Sequence, residues 1–182
     1  MKLMKAGKWV MKRNWKNLAI SILIPLAVGI VAGLLTRGGM EQFAFLNKPP
    51  LSPTTWLFPI VWTILYILMG ISSYLIYVAK APKEKNICSN KDYINSEFET
   101  KKAKALTTYD YQLVVNFLWP IFFFDFQWYF FSFLWLLLLW ILTAKMILEF
   151  REISPLAALL NIPYLLWLSF AGYLNVGIWL LN

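Results

Sequence analysis

The chain alternates long uncharged runs with short polar breaks, and the runs are too long to be strands. Residues 18–36 carry no charge, and residues 56–79 repeat the pattern over 24 positions. As helix, the second run would extend about 36 Å, enough to cross a bilayer with some tilt. A third run covers 109–124 and a fourth 128–148, the latter ending near Lys145, whose amine can snorkel to the interface. After a charged turn at 149–154, Pro155 opens a fifth run, and 155–182 contains no charged residue. The pattern predicts an all-α membrane protein, a bundle of five transmembrane helices (18–36, 56–79, 109–124, 128–148, 155–181), preceded by a basic segment, 1–17.

Between the runs the sequence predicts connections. Residues 37–55 hold Gly38, Gly39, Pro49, Pro50 and Pro53, and the three prolines forbid a regular helix there. Residues 80–107, rich in Lys, Glu, Asn and Ser, form a polar loop that is mobile or partly helical in water. Residues 125–127 form a short link. The first run, behind a basic segment, resembles the start of a signal peptide. It is long for that, no A-x-A-like site follows, and it is expected to stay as an uncleaved span. Gly29 and Gly33 make a G-x-x-x-G in it, which permits close helix approach; small residues merely tolerated in an apolar helix explain it equally well. No repeat relates the two halves, which argues against a transporter built on inverted repeats.

Composition agrees. Of 182 residues, 60% are hydrophobic and 14% charged, whereas soluble domains average about 25% charged. A single soluble core could not hide so much apolar surface, so the excess faces lipid. The net charge of +8 does not indicate nucleic acid, because of where the charge sits. Lys2, Lys5, Lys8, Lys12, Arg13 and Lys16 precede the first span, and seven more lysines lie between Lys80 and Lys104. With Lys145 and Arg151 they fall on one side of the bundle, leaving Arg37 and Lys48 on the other. The bias predicts a multi-pass cell-membrane protein with a cytoplasmic N-terminus and an external C-terminus. Cys88 is the single cysteine and histidine is absent, which removes disulfide frameworks, histidine-based zinc sites, Ser-His-Asp triads and histidine-ligated haem. No metal site and no required cofactor are expected.

Chemistry therefore rests on aromatic and amide side chains. The chain has 10 Trp, 9 Tyr and 14 Phe, most of which suit membrane interfaces or lipid-facing surface. Three helical stripes differ. Trp62, Tyr66, Met69 and Ser73 recur at helical spacing on the second span. Gln112, Asn116, Trp119 and Phe123 do so on the third, and Asn161, Tyr164, Leu168, Ala171 and Asn175 on the fifth, with Trp167 at its flank. Amides and phenols are costly in lipid, so these stripes should turn inward. There they either join helices by hydrogen bonds or line an aromatic pocket suited to a large flat ligand with a polar edge.

Three passages resemble one family. NKPPLSPTTWLFPIVWTILYILMG (Asn47 to Gly70) is similar to a KPxWxPPxW-type loop leading into VWxxLYxxMG of the TspO/MBR family, the tryptophan-rich sensory and translocator proteins. YQLVVNFLWPIFF (Tyr111 to Phe123) resembles the family's QLxLNxxWxxxFF. The last 29 residues, SPLAALLNIPYLLWLSFAGYLNVGIWLLN, resemble SxxAxxLxxPYxxWxxFAxxLNxxIWxxN. The resemblance implies a porphyrin-binding cavity, with protoporphyrin IX as ligand, and a role as sensor or carrier in porphyrin metabolism or stress response. By motif, the family's pocket residues match Trp62, Asn116, Trp119, Trp167 and Ala171; with Tyr66, Phe123 and Tyr164 of the inward stripes and Trp56 they make the expected ligand set. The resemblance also implies an alternative, light-dependent breakdown of protoporphyrin IX, in which Trp62 and Trp167 would be the catalytic residues. A membrane scaffold acting through the basic loop is a third reading. The sequence departs from the family at Leu51, where a loop tryptophan is expected, and at Thr54, where a proline is. The third-span G-x-x-x-G that makes dimers in some members falls on Thr107 and Tyr111, which leaves a homodimer open. A sterol partner is disfavoured: no Lys or Arg follows Arg151, and Leu75 to Lys80 fits only the loosest sterol pattern.

Overall fold

The computed structural model describes residues 15–81 and 91–182. The basic residues before Trp15, residues 82–90 and Cys88 lie outside that range. Helices follow in the order α1 (Trp15–Leu35), α2 (Arg37–Phe43), α3 (Leu57–Tyr77), α4 (Lys91–Pro120), α5 (Tyr129–Ile153), α6 (Pro155–Leu160) and α7 (Ile162–Leu181). A π-helical turn, Ile121–Asp125, prolongs α4. The short α6 and α7 together make the last span, so the fold is the expected all-α bundle of five membrane helices. Around it, α1 packs on α3, α3 on α6, α5 on both α4 and α7, and α4 returns to α1.

Length and apolarity alone qualify α1, α3, α5 and the α6–α7 pair as membrane spans. In α4 the membrane half continues from a polar half and carries Gln112 and Asn116. Both are buried at 2% exposure or less, because the bundle solvates them where lipid would not. Large apolar side chains such as Ile24, Leu34, Leu137, Ile141 and Leu166 point outward instead. Polar residues inside and apolar ones outside is the arrangement lipid demands.

Four boundaries differ from the sequence expectation. The helix of α4 starts at Lys91, so much of the expected 80–107 loop is helical; Lys101 pairs with Glu97 at 2.9 Å and Lys102 with Glu99 at 3.1 Å along its surface. Helix α5 runs to Ile153, through the expected turn at 149–154. Glu149 lies 3.7 Å from Lys104 and 3.9 Å from Lys145, so its charge is matched on the helix rather than ending it. A seven-residue helix, α2, sits in the 37–55 connection, while the proline-rich stretch after it is irregular as expected. The fifth span breaks at Asn161, whose amide donates to Ser72 Oγ at 2.6 Å and to the Ala157 carbonyl at 3.0 Å.

Glycines set the α1–α3 crossing. A Cβ on Gly29 would overlap the Tyr66 ring, and one on Gly70 would stand 2.6 Å from the Ser21 carbonyl oxygen. Gly33 faces open space, so the G-x-x-x-G does not act as a pair. Gly29 alone makes the close approach.

Candidate functional site

The bundle is not equally filled along its length. Around Met69, Ile76, Leu139, Met146 and Phe150, all fully buried, it is solid. Toward the end where α1 and α7 finish and α3 begins, it opens into a cavity of about 380 Å³. That is within the usual range of ligand sites, roughly 300–1,000 Å³. Five helices (α1, α2, α3, α4 and α7) and the π turn contribute to its wall, and among the described residues no wall residue is charged.

The π turn explains how one short segment lines so much of it. Pro120 interrupts the α-helical register, and the Phe126 N–H bonds the Ile121 carbonyl at 3.0 Å, five residues back. The widened turn brings Phe123 and Phe124 into the wall together; Phe123 stacks on Trp119, centroids 5.0 Å apart. Helix α2 closes over this turn, because Gly39 lets its backbone rest against the Phe124 carbonyl.

Beneath the cavity runs a chain of neutral hydrogen bonds. The Tyr66 hydroxyl donates to Asn116 Oδ1 at 2.7 Å, Asn116 Nδ2 donates to the Tyr164 hydroxyl at 2.8 Å, and Tyr164 donates to Gln112 Oε1 at 3.3 Å. Three helices are tied together by these contacts. With its carbonyl and amide each engaged, Asn116 is fixed as the cavity floor. Higher up the wall the opposite holds. The indole N–H groups of Trp119 and Trp167 and both amide atoms of Asn175 are buried without a hydrogen-bond partner among the described residues. Such groups are costly to leave unpaired, and four polar atoms in one wall make a concentrated deficit.

The expected site residues sort clearly. Trp62, Tyr66, Asn116, Trp119, Phe123, Trp167 and Ala171 all line the cavity. Tyr164 is fully buried one layer below, bonded to Asn116. Trp56 is 64% exposed at the head of α3 and is not part of the wall. Exposed tryptophans at the ends of membrane helices suit the lipid–water interface. Other wall residues lay outside the expected set, notably Phe43 and Met40 of α2, Phe58, Phe124 and Asn175. Asn175 sits on the inward stripe of the fifth span, so a signal existed; Phe43 and Met40 come from a helix the sequence did not disclose.

A loop anchors over this end. Asn47 and Asn182 exchange hydrogen bonds: the Asn47 N–H donates to Asn182 Oδ1, and Asn182 Nδ2 donates to the Asn47 carbonyl, each at 3.0 Å. Pro49 packs where Gly177 has no side chain, and the Tyr173 hydroxyl donates to the Pro50 carbonyl at 2.8 Å. Leu51 then turns in the left-handed region with φ 66°, exposed at the loop tip.

Comparison with known proteins points one way. The sequence profile described as the TspO/MBR family matches residues 21–180. A tryptophan-rich protein TspO from Chlorobaculum tepidum is 33% identical over 174 residues, covering 94% of this chain and 99% of its own. One of the same name from Archaeoglobus fulgidus is 34% identical, with 93% and 99% covered. The translocator protein of Bos taurus is 34% identical over 158 residues, 86% of this chain and 85% of its own.

Proposed function

The chain belongs to the TspO/MBR family, and from that premise we propose that it is a membrane sensor or carrier for a protoporphyrin-like tetrapyrrole, held in the cavity between α1, α3, α4 and α7. The observation that carries this reading is the wall itself, where Trp62, Trp119 and Trp167 surround an uncharged hollow. Indoles offer broad flat faces, each stacked pair contributing about 0.5–1.5 kcal/mol beyond simple area burial. The unpaired N–H groups of Trp119 and Trp167 and the amide of Asn175 supply the few polar contacts such a ligand needs. The bundle sits in the cell membrane with its N-terminus in the cytoplasm, in keeping with the basic residues clustered at that end.

Titrating intrinsic tryptophan fluorescence against a panel of porphyrins and sterols tests the assignment. Saturable quenching by porphyrins, lost in Trp167→Phe and Trp62→Phe, is the expected result; unaltered affinity in both variants would remove this cavity as the site.

A second reading has an observation of its own. Trp62 and Trp167 both line the cavity, so a photoexcited ring held there would have two one-electron donors within its walls. With dissolved dioxygen as the oxidant consumed, light-dependent oxidative degradation of the bound porphyrin would then follow. Absorbance spectra of the loaded protein, kept dark and illuminated, distinguish turnover from binding: bleaching should need light and slow in either Trp→Phe variant.

A further inference from the structure

We propose that Lys48 is the docking point for the carboxylate edge of the ligand, so that an acidic tetrapyrrole lies with its uncharged ring inside the cavity and its carboxylates at the rim. The inference rests on the tetrapyrrole reading above and adds an orientation to it.

The cavity interior cannot take the acidic edge. Among the described residues no Lys, Arg, Asp or Glu belongs to its wall, and a carboxylate buried without a counter-ion is strongly disfavoured. The neutral donors of Trp119, Trp167 and Asn175 suit an uncharged ring edge instead. An acidic ligand must therefore leave its charges at the opening.

At that end of the bundle the described residues offer two cations, Arg37 and Lys48. Arg37 is exposed at the start of α2. Lys48 is held in place. Its ammonium lies 4.8 Å from the centroid of Phe43, a wall residue, and donates to the Ala44 carbonyl at 3.3 Å. The backbone is pinned on both sides, by Asn47 bonded to Asn182 and by Pro49 seated on Gly177. Among the described residues no carboxylate lies within ion-pair distance of Lys48. A half-buried, anchored and unpaired ammonium beside an uncharged hollow is organised in advance for an anion.

The test compares protoporphyrin IX with its dimethyl ester, using the full chain in bilayer discs of uncharged lipid and tryptophan quenching as the readout. Wild-type protein should bind the diacid more tightly than the diester, with salt weakening only the diacid. Lys48→Gln should weaken the diacid by about tenfold and leave the diester within about twofold, whereas Lys48→Arg should keep the preference. Arg151→Gln, a cation lost from the opposite end, serves as the control. If Lys48→Gln leaves diacid binding unchanged, or weakens both ligands equally, the docking role is overturned while tetrapyrrole binding stands. Failure of the wild type to bind either compound overturns the tetrapyrrole reading itself.

Discussion

The two ends of this bundle are built from the same helices and the same kinds of side chain, yet one is solid and the other hollow. In the solid half, Leu139, Met146, Phe150 and Ala157 are fully buried and Ser72 donates to the Ala157 carbonyl at 2.7 Å, with the Tyr74 hydroxyl and Asn161 Oδ1 buried in close packing. In the hollow half, large indoles stand around open space, and the four polar atoms of Trp119, Trp167 and Asn175 that have no partner among the described residues face a cavity instead. Close-packed Met, Ile, Leu and Phe side chains fill the first; Pro120, the π turn and the tryptophans line the second. Close packing and open space are thus separated along the bundle axis. The chain Tyr66–Asn116–Tyr164–Gln112 marks the boundary, a cavity floor on one side and a core roof on the other.

That separation can be broken by experiment. The largest effect should come from the solid half, where Phe150→Ala removes a fully buried ring and should cost about 3–5 kcal/mol. Thermal unfolding in detergent would register it, and ligand affinity in the surviving folded fraction should stay near wild type. Gly70→Ala should cost about 1–3 kcal/mol by the same measurement, since a Cβ there meets the rigid backbone of α1 at Ser21 and Ile22. The hollow half should respond with the opposite sign. Asn175→Leu takes away two unpaired polar atoms and should be neutral or stabilising by about 1 kcal/mol, while weakening porphyrin binding. A marked loss of stability in that variant would mean that the amide belongs to the core after all. The smallest effect is expected at the loop. Asn182→Ala removes the reciprocal pair with Asn47 and should cost about 0.5–1 kcal/mol, seen mainly as faster ligand entry and exit in stopped-flow quenching.

Much of the fold could be read from the chain because lipid is an unforgiving solvent. The stripes through Met69, Gln112, Asn116, Tyr164 and Asn175 are buried as the cost of exposing amides and phenols required. What escaped had different causes. The polar helix from Lys91 reads in the sequence only as a loop, mobile or partly helical, because its few apolar residues are scattered among charges, although its Glu–Lys pairs stand at helical spacing. Trp56 could not be told from a pocket tryptophan, since interfacial and cavity indoles share the same local sequence. The contribution of α2 to the wall depends on Gly39 meeting the Phe124 carbonyl, a contact between segments some 85 positions apart that no local pattern records. The stripe placed Asn175 on the inner face, but only the folded bundle shows that its amide has no partner among the described residues.

The π turn at Ile121–Asp125 carries a final consequence. Such a turn accommodates one residue more than the α-helical phase allows, so it behaves as a stored insertion. Deleting a single phenylalanine from this run would let the segment relax to ordinary α-helix with the residues beyond it still in phase. The wall would then lose one ring and the widened turn that carries Phe123 and Phe124 into it together. The hollow is in this sense a matter of counting: one surplus position in a helix keeps it open.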